Sequence, residues 1–142
     1  MEPIQFLEVA KKFLNVPSEA AYRSAVSRAY YATFHAATAF LAKLGFRASG
    51  GPQAHGEVRA RLNNCGNDDG AQIARWLREL HGHRIEADYE LTSALFKAQF
   101  KPASWVLLAE QAIRTLNTLA ASPNLCDQIR KGIRAYEEKL KS

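Results

Sequence analysis

Apolar side chains return every three to four positions along most of the chain, and nowhere do they alternate with period two over more than a few residues. The pattern predicts helices and no strands. Ile4, Leu7, Val9, Ala10, Phe13 and Leu14 mark a first helix, which Pro17 stops. Ser18 is placed to cap the next, with Glu19 and Ala20 in its first turn. From there SEAAYRSAVSRAYYATFHAATAFLAKL reaches Gly45 without Gly or Pro, about 27 residues and ~40 Å at ~1.5 Å per residue. A helix so long and so apolar is expected at the centre of a bundle, packed on more than one side.

FRASGGP, residues 46–52, reads as a loop, and a short helix is expected from about Gln53 to Asn63, ending at the turn NNCGNDDG. Asp68 or Asp69 is expected to cap a second long helix, Gly70 to Phe96, with Ile73, Trp76, Leu77, Leu80, Ile85, Leu91 and Leu95 as its buried stripe. Gly82 should weaken or bend it, at roughly 1 kcal/mol relative to Ala. Pro102 opens a fifth helix that Ser122-Pro123 ends, and a charged amphipathic helix runs from about Leu125 to Leu140. The expected fold is all-α: one domain over residues 1–142, an up-and-down bundle of four to five main helices with two long central ones.

Composition narrows this further. At 47% apolar and 23% charged residues the chain is neither disordered nor fibrous. The longest uncharged stretch, Ala29 to Ala42, falls short of the ~20 apolar residues a membrane span needs. The opening MEPIQFLEVAKKF has acids at positions 2 and 8 and no basic run before an apolar one, unlike a secretory signal, so a cytoplasmic setting is expected. The net charge of +5 is concentrated at both ends, +3 over residues 1–50 and +2 over residues 123–142, which permits contact with phosphate without requiring it. Cys65 and Cys126 have no CxxC partner and are expected to be free, with Cys126 packed. No glycine-rich phosphate loop, HExxH or EF-hand pattern occurs, so neither a metal nor a cofactor is expected.

Two helix faces carry the remaining chemistry. Arg28, Tyr31 and His35 share one side of the long second helix, where an arginine and a histidine can hold a phosphate and move a proton. The alternative makes Arg28 an ion-pair partner and His35 a hydrogen-bonded, half-buried residue. His81, Arg84 and Asp88 share a face of the fourth helix, with Tyr89 beside them. Here the alternative is that Arg84 and Asp88 pair only to lock the helix, while His81 and His83, flanking Gly82, face solvent. His35, on a helix through the middle of the bundle, is expected to be partly desolvated and neutral, and so the better general base.

SRAYYATFHAATAFLAKLG at Ser27–Gly45, AHGEV at Ala54–Val58 and RIEADY at Arg84–Tyr89, taken in this order, resemble the prokaryotic HEPN family of small helical proteins. The resemblance implies a bundle that dimerises through its long helices. It also implies a minimal nucleotidyltransferase as antitoxin partner, and a metal-independent RNA endonuclease with an R-x(4–6)-H motif as the toxin's activity. Counted from Arg84, that histidine would fall at positions 89–91, where Tyr89, Glu90 and Leu91 stand; Arg28 and His35 meet the spacing on the earlier helix. The implied catalytic set is therefore Arg84, Asp88 and Tyr89 with His35, while Arg28, Tyr31, His55 and His81 bind phosphate or nucleotide. Tyr89 is the implied position for modification by the partner. The competing readings are a non-catalytic nucleotide- or RNA-binding module and a plain helical interaction dimer. The chain is expected to form a homodimer whose interface includes the polar face of the Gly70–Phe96 helix, and to need no membrane.

Overall fold

The computed structural model describes all 142 residues as six helices: α1 (Ile4–Leu14), α2 (Glu19–Lys43), α3 (Gln53–Asn63), α4 (Asp68–Tyr89), α5 (Phe100–Ala120) and α6 (Pro123–Lys141). The all-helical bundle with two long helices is as the sequence predicts, and no helix is long and apolar enough to cross a membrane. α2 is the central element and packs against α1, α4 and α5. Its small residues Ala25, Ala29, Ala32 and Ala37 are fully buried and let these neighbours approach, while Val26, Tyr30 and Leu41 fill the spaces between them.

Local chemistry sets most boundaries. Ser18 accepts a hydrogen bond from the Ala21 N–H and caps α2, and Ser122 does the same for α6 through Leu125. Gly45, at φ +98°, ends α2 by taking the left-handed conformation that a side chain disfavours, so that the Phe46 N–H turns back onto the Leu41 carbonyl at 2.9 Å. α5 starts two residues before Pro102, which lies in its first turn where a missing N–H costs nothing. The cap of α4 is Asn67, whose side chain accepts from the Gly70 N–H at 2.9 Å. Asp68 and Asp69 lie in the first turn instead, where their charge meets the positive end of the helix.

The largest departure from expectation is at the other end of α4. The helix continues unbroken through Gly82 but stops at Tyr89 rather than at Phe96; a turn and a short 3-10 segment, Ala94–Phe96, follow. The stop is tertiary. Arg23 of α2, only 8% exposed, crosses to the α4 terminus and donates to the carbonyls of Ala87 (2.8 Å), Glu86 (3.4 Å) and Ser93 (3.4 Å). Its guanidinium also lies 4.6 Å from the centre of the buried Phe96 ring. Ser93 is held in turn by the Glu86 carboxylate, to which its hydroxyl donates at 2.6 Å. The predicted stripe accordingly holds at Ile73, Leu77 and Leu80, which are buried, and fails at Ile85 and Leu91, which are exposed; Ala87 and Phe96 take the inner positions.

Both cysteines are free. Cys65, in the turn between α3 and α4, is pinned by two glycines. A Cβ at Gly70 would overlap the Cys65 thiol, and one at Gly132 of α6 would overlap the Cys65 carbonyl. These two close approaches seat α6 against the α3–α4 junction, with Ile129 and Ile133 as its buried contacts.

Candidate functional site

Three helices converge on one open pocket of about 560 Å³, lined by Tyr31 from α2, His55 and Arg59 from α3, and His81 and Arg84 from α4. Tyr30 and Tyr31 follow one another on α2, so one ring enters the core while its neighbour reaches the rim. Tyr30 is 1% exposed, and burial pushes its phenol well above the usual range, so it stays protonated. Its one partner is the Nδ1 of His55, and a buried hydroxyl that keeps its proton and has a single partner is satisfied there as the donor. The His55 ring is stacked on Phe34 (4.3 Å between centres) and on His81 (5.3 Å), which fixes both imidazoles in a layered aromatic wall.

Arg59 completes the wall by donating to the Nδ1 of His81 at 3.1 Å. A guanidinium can only donate, so His81 accepts at Nδ1 and carries its proton on Nε2; His55, accepting from Tyr30, is fixed in the same tautomer. Burial first, then the charges of Arg59, His55 and Arg84, depress the pKa of His81 to about 4. His55 is lowered by burial and then by Arg84 and Arg59. Two neutral imidazoles and two arginines therefore face one cavity, all with N–H donors to offer and no carboxylate among the lining residues. Such a set is chemically suited to an anion.

Arg84 is held on one side only. Its guanidinium lies 5.2 Å from the centre of the Tyr31 ring and 5.9 Å from that of Tyr89. Its Nε is 3.1 Å from the Asp88 carboxylate, but the N–H is not aimed at the oxygen, so the contact is Coulombic and the buried Nε has no hydrogen-bond partner. Asp88 is tied back to α2 by the Ser27 hydroxyl at 3.3 Å. Tyr89 is 71% exposed and projects beyond the pocket.

The other expected site residues lie nearby or elsewhere. Arg28 forms no ion pair; its guanidinium is 5.4 Å from the Phe6 ring and 5.6 Å from the Tyr31 ring, outside the pocket lining. α2 does run through the middle of the bundle, but His35 is on its exposed face, one turn beyond Tyr31, stacked on Phe6 at 5.5 Å. Its faces are covered even so, and this desolvation lowers its pKa. The expectation that His81 and His83 face solvent is corrected. Both are half-buried: His81 lies in the pocket wall, and His83 stacks on Trp105 at 3.8 Å. Residues two apart on a helix point to nearly opposite sides, so the pair straddling Gly82 serves two different interfaces.

Tyr30 and Arg59 were not among the candidates from sequence. Tyr30 reads as a core aromatic, but His55 and Arg59 are four apart on α3, a spacing that places an imidazole and a guanidinium side by side.

All four histidines have lowered pKa values, chiefly through burial. The unfolded chain therefore binds more protons than the folded one below the ordinary value of 6.5. Stability is expected to be at its plateau above that pH and to fall as the pH drops toward the folded-state value of about 4 for His81. Urea unfolding at about pH 7 and about pH 5 measures the effect as a lower midpoint in acid, and a histidine NMR titration locates it. A midpoint that rises on acidification contradicts the neutral-histidine wall.

Fold and pocket together define a small helical protein with a donor-rich pocket built by α2, α3 and α4. A family model for the HEPN domain matches residues 4–116, from α1 through most of α5, and the chain belongs to the HEPN domain family. No curated protein and no solved structure gives a significant match.

Proposed function

We propose that the protein is a cytoplasmic HEPN-type toxin that cleaves RNA without a metal ion, acting as a homodimer and held in check by a minimal nucleotidyltransferase. The observation that carries this reading is the pairing of Arg59 and Arg84 with two neutral histidines in one pocket. In this reading the guanidinium groups and the Nε2–H groups of His55 and His81 bind a phosphodiester and stabilise the charge that grows on it during attack. Neither histidine has a free ring nitrogen to take a proton. His35 makes no hydrogen bond and is kept neutral by desolvation, and it is the base assigned to the 2′-hydroxyl. The 2′ oxygen then bonds to phosphorus, the bond to the 5′ oxygen breaks, and the leaving oxygen takes a proton from solvent. Tyr89, exposed beside Arg84, is the hydroxyl offered to the nucleotidyltransferase; a nucleotide added there would bring its phosphate to Arg84 and close the pocket.

A second reading, a non-catalytic RNA- or nucleotide-binding module, is favoured by one observation: Asp88 partly neutralises Arg84. Incubating the purified protein with RNA in EDTA separates the two. Cleavage with 2′,3′-cyclic phosphate ends is expected, lost in His35→Gln and retained in His83→Gln. Binding without cleavage leaves the module reading, and neither binding nor cleavage removes both. Light scattering is expected to return twice the 15.8 kDa chain mass.

A further inference from the structure

A second concavity of about 340 Å³ lies between α3 and α4, beside the site just described, and shares Gly56 and Arg59 with it. Its walls carry Arg59, Arg75 and Arg78 together with Asn63, and no carboxylate lines it. Arg75 and Arg78 are exposed and take part in no ion pair; the Arg75 guanidinium donates only to Gln72, one turn earlier. What sets them apart from exposed cations such as Lys12 or Lys139 is their place: both line one concavity, with Arg59 as a third guanidinium beside them. The neighbouring acid Glu79 faces His83 instead.

Position along α4 adds a second argument. Arg75, Arg78, His81 and Arg84 recur every third residue, a row that winds around α4 by about 60° per step while rising ~13 Å in all, and it passes from the lining of one concavity, with Arg75 and Arg78, into that of the other, with His81 and Arg84. That is too long for a single phosphate. Where the two concavities meet, Gly56 leaves the passage open: nothing lies within 4 Å of the place a Cβ would take.

We infer that the α3–α4 groove is a second phosphate subsite, in which Arg75 and Arg78 hold the backbone of a single-stranded RNA beside the phosphodiester bound in the histidine pocket. The inference rests on the RNA reading of that pocket and adds its direction: the strand continues along α4 toward the N-terminal end of the helix. A mononucleotide fills the pocket alone and does not reach the groove.

The test compares a labelled oligouridylate strand with uridine monophosphate, across a salt series, for the wild type and for the double variant Arg75→Gln, Arg78→Gln. Both positions are exposed, so the fold is kept, which a thermal melt verifies. The double variant is expected to lose roughly tenfold or more in strand affinity, and its salt slope is expected to fall by about 1.4, at ~0.7 per phosphate contact on a single strand. Binding of the mononucleotide should be unchanged. Gly56→Leu, which fills the passage, should also weaken the strand. An unchanged strand affinity and slope in the double variant overturns the subsite while leaving the pocket reading in place, as does an equal loss for strand and mononucleotide. A wild type that binds neither ligand overturns both.

Discussion

Arg84→Ala is expected to lower RNA cleavage by two to three orders of magnitude, the usual loss when one fixed donor to a developing oxyanion is removed, about 10²–10³ in rate. The folded state should survive the change. Arg84 is half-buried, its ion pair with Asp88 is an i,i+4 contact without hydrogen-bond alignment, and such pairs contribute only ~0.5 kcal/mol. Deleting the side chain also removes a buried Nε that has no hydrogen-bond partner, which offsets part of the loss. Activity and stability thus move separately. Arg84→Lys keeps the charge but not the planar fork, and should recover a fraction of the rate. Asp88→Ala tests the alternative: were the pair only a helix lock, both alanine variants would lower the melting temperature by similar small amounts, with activity following the folded fraction. A folded Arg84→Ala protein with wild-type cleavage removes Arg84 from the site.

Arg23→Met should be the most destabilising single change among the charged residues. The side chain is buried, and its shortest hydrogen bond, 2.8 Å to the Ala87 carbonyl, belongs to the charged class whose loss costs about 1.5–3 kcal/mol. The carbonyls of Glu86 and Ser93 and the Phe96 ring lose their partner at the same time. A total of ~3 kcal/mol, or a fall of about 10 °C in melting temperature, is expected. Methionine fills most of the space, so the deficit reports the lost donors rather than a void. RNA affinity should fall by more than the unfolded fraction, because the last turn of α4, with Asp88 and Tyr89, loses its anchor. A loss below about 1 kcal/mol would show that water replaces the guanidinium at the helix end.

These two arginines mark how far the sequence could be read. Where a helix ends on its own chemistry, at Pro17, Ser18, Gly45 or Ser122-Pro123, the boundary is legible because the stop is encoded within a few residues. α4 has no Gly or Pro between Gly82 and Pro102, and its end depends on Arg23, 64 residues away from Ala87. No local pattern announces such a contact, and a single arginine in a helix reads as a surface residue. The site divides the same way. Tyr31, His55, His81 and Arg84 were legible from spacing and resemblance and do meet in one pocket. Arg59 and Tyr30 act by fixing the tautomers of His81 and His55, a role that exists only once α2, α3 and α4 are side by side. His83 was misjudged because its cover, Trp105, comes from α5.

The seating of Cys65 between Gly70 and Gly132 gives the protein a built-in reporter. Burial raises the pKa of this thiol, and at 1% exposure the residue is closed to a reagent in the folded state. Its alkylation therefore requires the junction of α3 and α4 to part, the same junction that joins the two halves of the pocket. Cys126, half-buried at the start of α6, is modified without that opening. In a mixture of both reactions the slow phase counts partings of the α3–α4 junction, one thiol per event, with no label introduced. A ligand that bridges Arg59 and Arg84 must slow that phase and leave the fast one alone.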